Sequence, residues 1–94
     1  MNNLYKTKDL GVSAVLLALG FTLVRTEWNE NVAFFLFNDR DKATEIAHQY
    51  NFGGGVQVDA KTFYDKMILI KREILARYSP NRFKKDIRYY SASR

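Results

Sequence analysis

The sequence has no cysteine, so no disulfide can staple it and no thiol can serve as nucleophile or metal ligand. Small domains in oxidising compartments are commonly cross-linked, and a chain of 94 residues without that option must be held by its core. That points to a reducing cytoplasm or to an oligomer. Histidine is nearly absent as well: His48 stands alone, without the cysteine partners of a structural zinc site and off the apolar stripe of its helix. It reads as a solvated side chain, and no metal or cofactor is expected. Proline occurs once, at Pro80, where it stops one helix and can start another. No apolar run approaches the roughly 18–20 residues needed to span a bilayer. Leu10 to Leu19, behind Lys6 and Lys8, loosely imitates a secretory signal, but Asp9 interrupts the basic region and the run reads as a buried helix.

No catalytic constellation is present. Asp39, Asp41 and Glu45 have the spacing of a magnesium site, yet Arg40 and Lys42 lie among them and acidic residues are what a helix N-terminus attracts. The run Phe52-Gly53-Gly54-Gly55 leads into Val56-Gln57-Val58, not into the helix that a phosphate-binding loop requires. The expected protein is not an enzyme.

What the chain does have is aromatic residues, 15% of the total, enough to build a core, and a charge that is unevenly placed. Residues 1–76 hold nine basic and nine acidic side chains; residues 77–94 hold six basic ones against Asp86 alone. The whole net charge of +5 therefore belongs to the last eighteen residues. A local cluster of one sign creates a field that a dispersed excess does not, and a basic one suits a polyanion or an acidic protein surface.

Hydrophobic periodicity divides the rest. Leu4-Tyr5-Lys6 is a short candidate strand. A helix capped at Thr7, with Asp9 in its first turn, follows; it is apolar nearly all round and ends at Gly20, so it must lie beneath other elements or at a subunit contact, which allows a homodimer. Phe21 to Glu27 and Val32 to Phe37 form a hairpin around Trp28-Asn-Glu-Asn, and the second strand, apolar on both faces, should be central. Asn38 or Asp39 caps a helix with the stripe Ala43, Ile46, Ala47, Tyr50, ended by Asn51 and Gly53–Gly55. Val56 to Val58 makes a short strand, and Asp59 caps a long helix with the stripe Phe63, Met67, Ile70, Ile74. The fold expected is α+β: a three- or four-stranded, mainly antiparallel sheet packed with helices, in the order (β)αββαβα. With its first strand counted, this is the ferredoxin-like βαββαβ pattern. Residues 1–78 form one domain, with the long helix as its main cover, and residues 79–94 a basic helical tail.

Three stretches carry a resemblance: Tyr5-Lys-Thr-Lys-Asp-Leu before a helix ending in Leu19-Gly20-Phe21, Val32-Ala-Phe-Phe-Leu-Phe-Asn-Asp, and Val58-Asp-Ala-Lys-Thr-Phe-Tyr before a long helix. Together they resemble an uncharacterised family of small stand-alone proteins of bacteria and their phages, over about residues 5–78. The resemblance implies a phage or mobile-element origin, supplies no catalytic residue, and makes the segment beyond Tyr78 an addition particular to this chain.

That segment is the main candidate site. Phe83, Ile87 and Tyr90 fall on one helical face, with Lys84, Lys85 and Arg88 on the other. Arg77, Arg82, Lys84, Lys85 and Arg88 suit phosphates, and Tyr89 and Tyr90 suit stacked bases. The function expected is a non-enzymatic accessory protein that binds nucleic acid or a nucleoprotein through this segment, in the host cytoplasm. The alternative is a protein-binding inhibitor or regulator of a host complex, such as an anti-defence protein, using Trp28, Leu69 and the tail. Phe35 and Phe37 would stack bases if their sheet face were open, but an aromatic-rich central strand is better explained as core.

Overall fold

The computed structural model of the chain describes residues 3–78. Six elements follow one another: β1 (Tyr5–Thr7), α1 (Leu10–Ala18), β2 (Leu23–Asn29), β3 (Val32–Phe37), α2 (Arg40–Phe52) and α3 (Ala60–Tyr78). The fold is α+β, with a three-stranded antiparallel sheet in the order β1-β3-β2. The doubly apolar β3 is central, as its composition requires.

The register fixes which side chains meet. Tyr5 and Leu23 flank Phe37, Thr7 and Thr26 flank Phe35, and Trp28 stands opposite Ala33, so all of these share one face. That face bears the helices: Phe35 and Phe37 are fully buried in one cluster with Val12 and Leu16 of α1, Ala43 and Ala47 of α2, and Ile70 of α3. The other face carries Val32, Phe34 and Leu36, and the helix-bound core cluster does not extend to it. Leu36 is nonetheless only 2% exposed, with Lys6 and Arg25 as its cross-strand neighbours.

The first helix is capped differently from the sequence expectation. Asp9, not Thr7, is the N-cap, its carboxylate accepting the Val12 N–H at 2.9 Å, while the Thr7 hydroxyl oxygen accepts the Asp9 N–H. Thr7 belongs to β1, which ends too late for it to serve as cap. The helix stops where expected: Gly20 takes φ +99°, its N–H reaches the Leu17 carbonyl and that of Phe21 the Leu16 carbonyl, the paired bonds of a Schellman motif. Residues 12–16 are all buried, so the fold itself absorbs the all-round apolar surface, and α1 gives no reason to invoke a subunit contact.

Gly11 of α1 faces the Tyr50 side chain of α2, whose hydroxyl end would have to shift to make room for a Cβ at that position. At the start of α2, Asp39 occupies the N-cap with φ 58° but makes no side-chain capping bond. Asn38 is engaged elsewhere, its side-chain oxygen accepting the Thr22 N–H at 3.0 Å. The first amide of α2 is satisfied across the fold, Arg40 N–H donating to the Asn3 carbonyl. The helix runs through Asn51 to Phe52, and Gly53 is its C-cap.

Two further expectations give way. Val56 to Val58 is not a strand, so the order is βαββαα and no fourth strand is present among the described residues. The segment runs directly from the positive-φ pair Gly54 and Gly55 into the Asp59 cap and pairs with none of the described strands. Nor does α3 lie chiefly over the sheet. It packs against α1, which is the direct cover, and among the described side chains of α3 only Ile70 is fully buried, with Ile74 at the margin of the core. Its start is as expected: the Asp59 carboxylate accepts both the backbone N–H of Thr62 at 2.9 Å and its hydroxyl at 3.0 Å. These bonds, the backbone one first, hold the Asp59 carboxyl below its ordinary 3.8.

Three outcomes follow from this packing. Phe35→Ala should cost about 3–5 kcal/mol, a large part of the stability of a small domain, whereas Phe52→Ala, at a side chain 80% exposed, should shift urea denaturation by no more than about 0.5 kcal/mol. A chain ending at Tyr78 should keep a single cooperative thermal transition, because the described core already joins side chains of all three helices to the central strand. Asp59→Ala should lower the melting temperature at neutral pH. Because the folded-state pKa is depressed, the cap's contribution is full above the unfolded value and is lost as pH falls through the folded one, so the gap to the parent should close below pH 3.8.

Candidate functional site

Of the basic segment, Arg77 falls in the last turn of α3, and Arg82, Lys84, Lys85, Arg88, Tyr89 and Tyr90 lie outside the described residues. The proposed partner-binding residues are placed. Trp28 is not in the hairpin turn, which consists of Glu30 and Asn31, but in β2, where it is half-buried and packs on the edge of the core. The β ladder continues two residues further than the sequence suggested because Asn29 still pairs with Val32. Leu69 sits on α3 and is 44% exposed, the neighbour in sequence of fully buried Ile70. Tyr64 and Leu75 of the same helix are also exposed.

Phe35 and Phe37 are core, so neither presents a stacking surface. The aromatic ring on the sheet face that carries none of the described helices is Phe34, at the centre of a charged group whose residues the sequence reading did not bring together. The Lys6 ammonium lies 4.9 Å from the Phe34 ring centroid, Glu27 pairs with Lys6 at 3.5 Å, and Arg25 Nε donates to Glu27 Oε2 at 2.9 Å. The Arg25 bond first, and then that of Lys6, holds the Glu27 carboxyl below its ordinary value. The sequence did contain a signal: Arg25 and Glu27 are two apart on a strand and so share a face, and Phe34 is of opposite parity to the core-facing Phe35.

Other candidates are isolated. His48 is exposed on α2 with its ring 5.5 Å from that of Phe52. Asp39, Asp41 and Glu45 are exposed, Asp41 lies 3.8 Å from Arg40, and no three His, Asp or Glu side chains among the described residues group to hold a metal ion. Gly53 to Gly55 terminate α2, with Gly55 N–H donating to the Gln49 carbonyl. A shallow cleft of about 160 Å³ is lined by Leu19, Gly20, Phe21, Asn38, Asp39 and Lys42. Binding pockets for small organic ligands typically enclose about 300–1,000 Å³, so this cleft is undersized for that role. No described helix is long and apolar enough to cross a membrane.

Comparison with known proteins finds no match among curated proteins or solved structures. A family match does cover residues 2–76, the neutral part of the chain, and leaves the basic segment from Arg77 onward outside it. The chain belongs to the family described as a domain of unknown function, DUF5659.

Proposed function

We propose that this chain is a non-enzymatic accessory protein, encoded by a phage or mobile element and acting in the host cytoplasm, that binds nucleic acid or a nucleoprotein through its basic C-terminal segment. The observation that carries the reading is the division of charge. The matched family domain is neutral, and Arg77, Arg82, Lys84, Lys85, Arg88 and Arg94 supply the excess in eighteen residues. Each basic side chain that meets a phosphate releases condensed counterions, so a short cluster of this kind gives affinity without needing a shaped pocket. Tyr89 and Tyr90 add faces on which bases can stack.

A second reading has its own support. Tyr64, Leu69 and Leu75 leave exposed apolar area along α3, and Trp28 lies half-buried at the margin of the core, as suits a regulator that docks on a host protein.

Salt titration separates the two. Binding of the full chain to arbitrary duplex should weaken with salt along a log–log slope of up to about −5 for five or six phosphate contacts. Replacing Arg82, Lys84, Lys85 and Arg88 together by glutamine should flatten that slope and weaken all sequences alike, since phosphate contacts position without specifying. Tyr89→Ala with Tyr90→Ala should weaken single strands more than duplex, by about 1–3 kcal/mol per lost stack. Failure of the parent to bind at low salt, or unaltered binding by the glutamine variant, would leave the protein-docking reading as the account.

A further inference from the structure

β2 is an edge strand of the described sheet: its one strand neighbour among the described residues is β3, and no other described element packs closely along it. Edge strands are commonly protected by being short, and at three residues β1, on the opposite edge, is; β2 has seven. Its outer side has the alternation needed to pair again. Asn29 and Val32 close a two-residue turn, so hydrogen-bonded pairs recur at Asn29, Glu27 and Arg25, and Thr26 between them directs its N–H and C=O away from β3.

We propose that β2 pairs antiparallel with β2 of a second copy of this chain about a two-fold axis at Thr26, giving one continuous six-stranded sheet. The occupant follows from charge complementarity. In an antiparallel pair centred on Thr26, Arg25 stands opposite the partner's Glu27 and Glu27 opposite the partner's Arg25, and the two threonines face each other. The two nearest registers that also bring outward-facing residues together are centred on Arg25 and on Glu27. The first sets arginine against arginine and the second glutamate against glutamate, so the strand favours one register and penalises its neighbours.

Exposure along the strand fits the same arrangement. Val24, the extra residue of a bulge between Leu23 and Arg25, is 45% exposed although it is β-branched and apolar, and the register places it opposite the partner's Trp28. Arg25 and Glu27 already lie on the sheet face away from the helices, where they form a 2.9 Å pair within the strand and can bridge to the partner without moving to the other side. Both helix layers then lie on the same side of the joint sheet, and each protomer keeps its own core. This dimer does not depend on what the basic segment binds.

The absence of cysteine makes the register directly testable. Residues opposite each other in a hydrogen-bonded antiparallel pair have Cα atoms about 5.5 Å apart, within the roughly 4.4–6.8 Å span of a disulfide. The full chain should show a concentration-dependent monomer–dimer equilibrium by sedimentation. Under mild oxidation Thr26→Cys should cross-link as a dimer at least tenfold faster than Arg25→Cys or Glu27→Cys. Arg25→Glu or Glu27→Arg should each weaken association at least tenfold, and the double exchange should restore it, with circular dichroism confirming that every variant is folded. A monomer up to millimolar concentration would overturn the proposal, as would equal cross-linking at the three positions or a dimer indifferent to the single charge changes.

Discussion

The burial of Phe35 and Phe37 against α1 is the interaction on which the remaining structure depends. These two side chains, with Ala33, form the helix-facing side of the central strand, and Val12 and Leu16 of α1 meet them there. Large aromatic groups carry most of the apolar area a small sheet can bury, so a helix apolar all round is tolerated and in fact required. One side of α1 is spent on the sheet, and α3 lies against it as well. α2 contributes two small residues, Ala43 and Ala47, and Gly11 of α1 leaves room for the Tyr50 hydroxyl.

Placing all the described helices on one side leaves the opposite face and the β2 edge to be managed by other means. The face is handled by charge: Lys6 and Arg25 flank Leu36, Lys6 sits over Phe34, and Glu27 holds both cations. Such exposed pairs contribute little stability individually, so their effect is to keep a partly apolar surface wetted and singular in register. The β2 edge carries the same residues in a self-complementary order. The body of the protein, residues 1–76, is electrically neutral, and the excess basic charge lies beyond it.

Much of this was legible in sequence, for identifiable reasons. The doubly apolar run Val32 to Phe37 could only be a central strand, Gly20 could only be a stop, and Asp59 before Thr62 was a cap with a visible partner. The failures share one cause, which is that short segments take their conformation from their neighbours. Val56 to Val58 has strand composition but is pinned between two left-handed glycines and a cap. Thr7 has capping chemistry but is claimed by the ladder to Phe35, which passes the role to Asp9. Trp28, surrounded by polar residues in sequence, is brought onto the core by its register opposite Ala33, a contact that local pattern does not contain. The charged group on the open face was written in strand parity, yet it spans β1, β2 and β3 and needed the sheet order to assemble.

The proposed division, with fold in the neutral body and polyanion binding in the basic segment, is tested most directly by residue-resolved NMR titration of the full chain with a short oligonucleotide at low salt. It predicts amide shift changes concentrated in residues 77–94, with the β3 and α1 amides unmoved. Shift changes centred on Lys6, Arg25 and Phe34 of the open sheet face, with the basic segment silent, would contradict it.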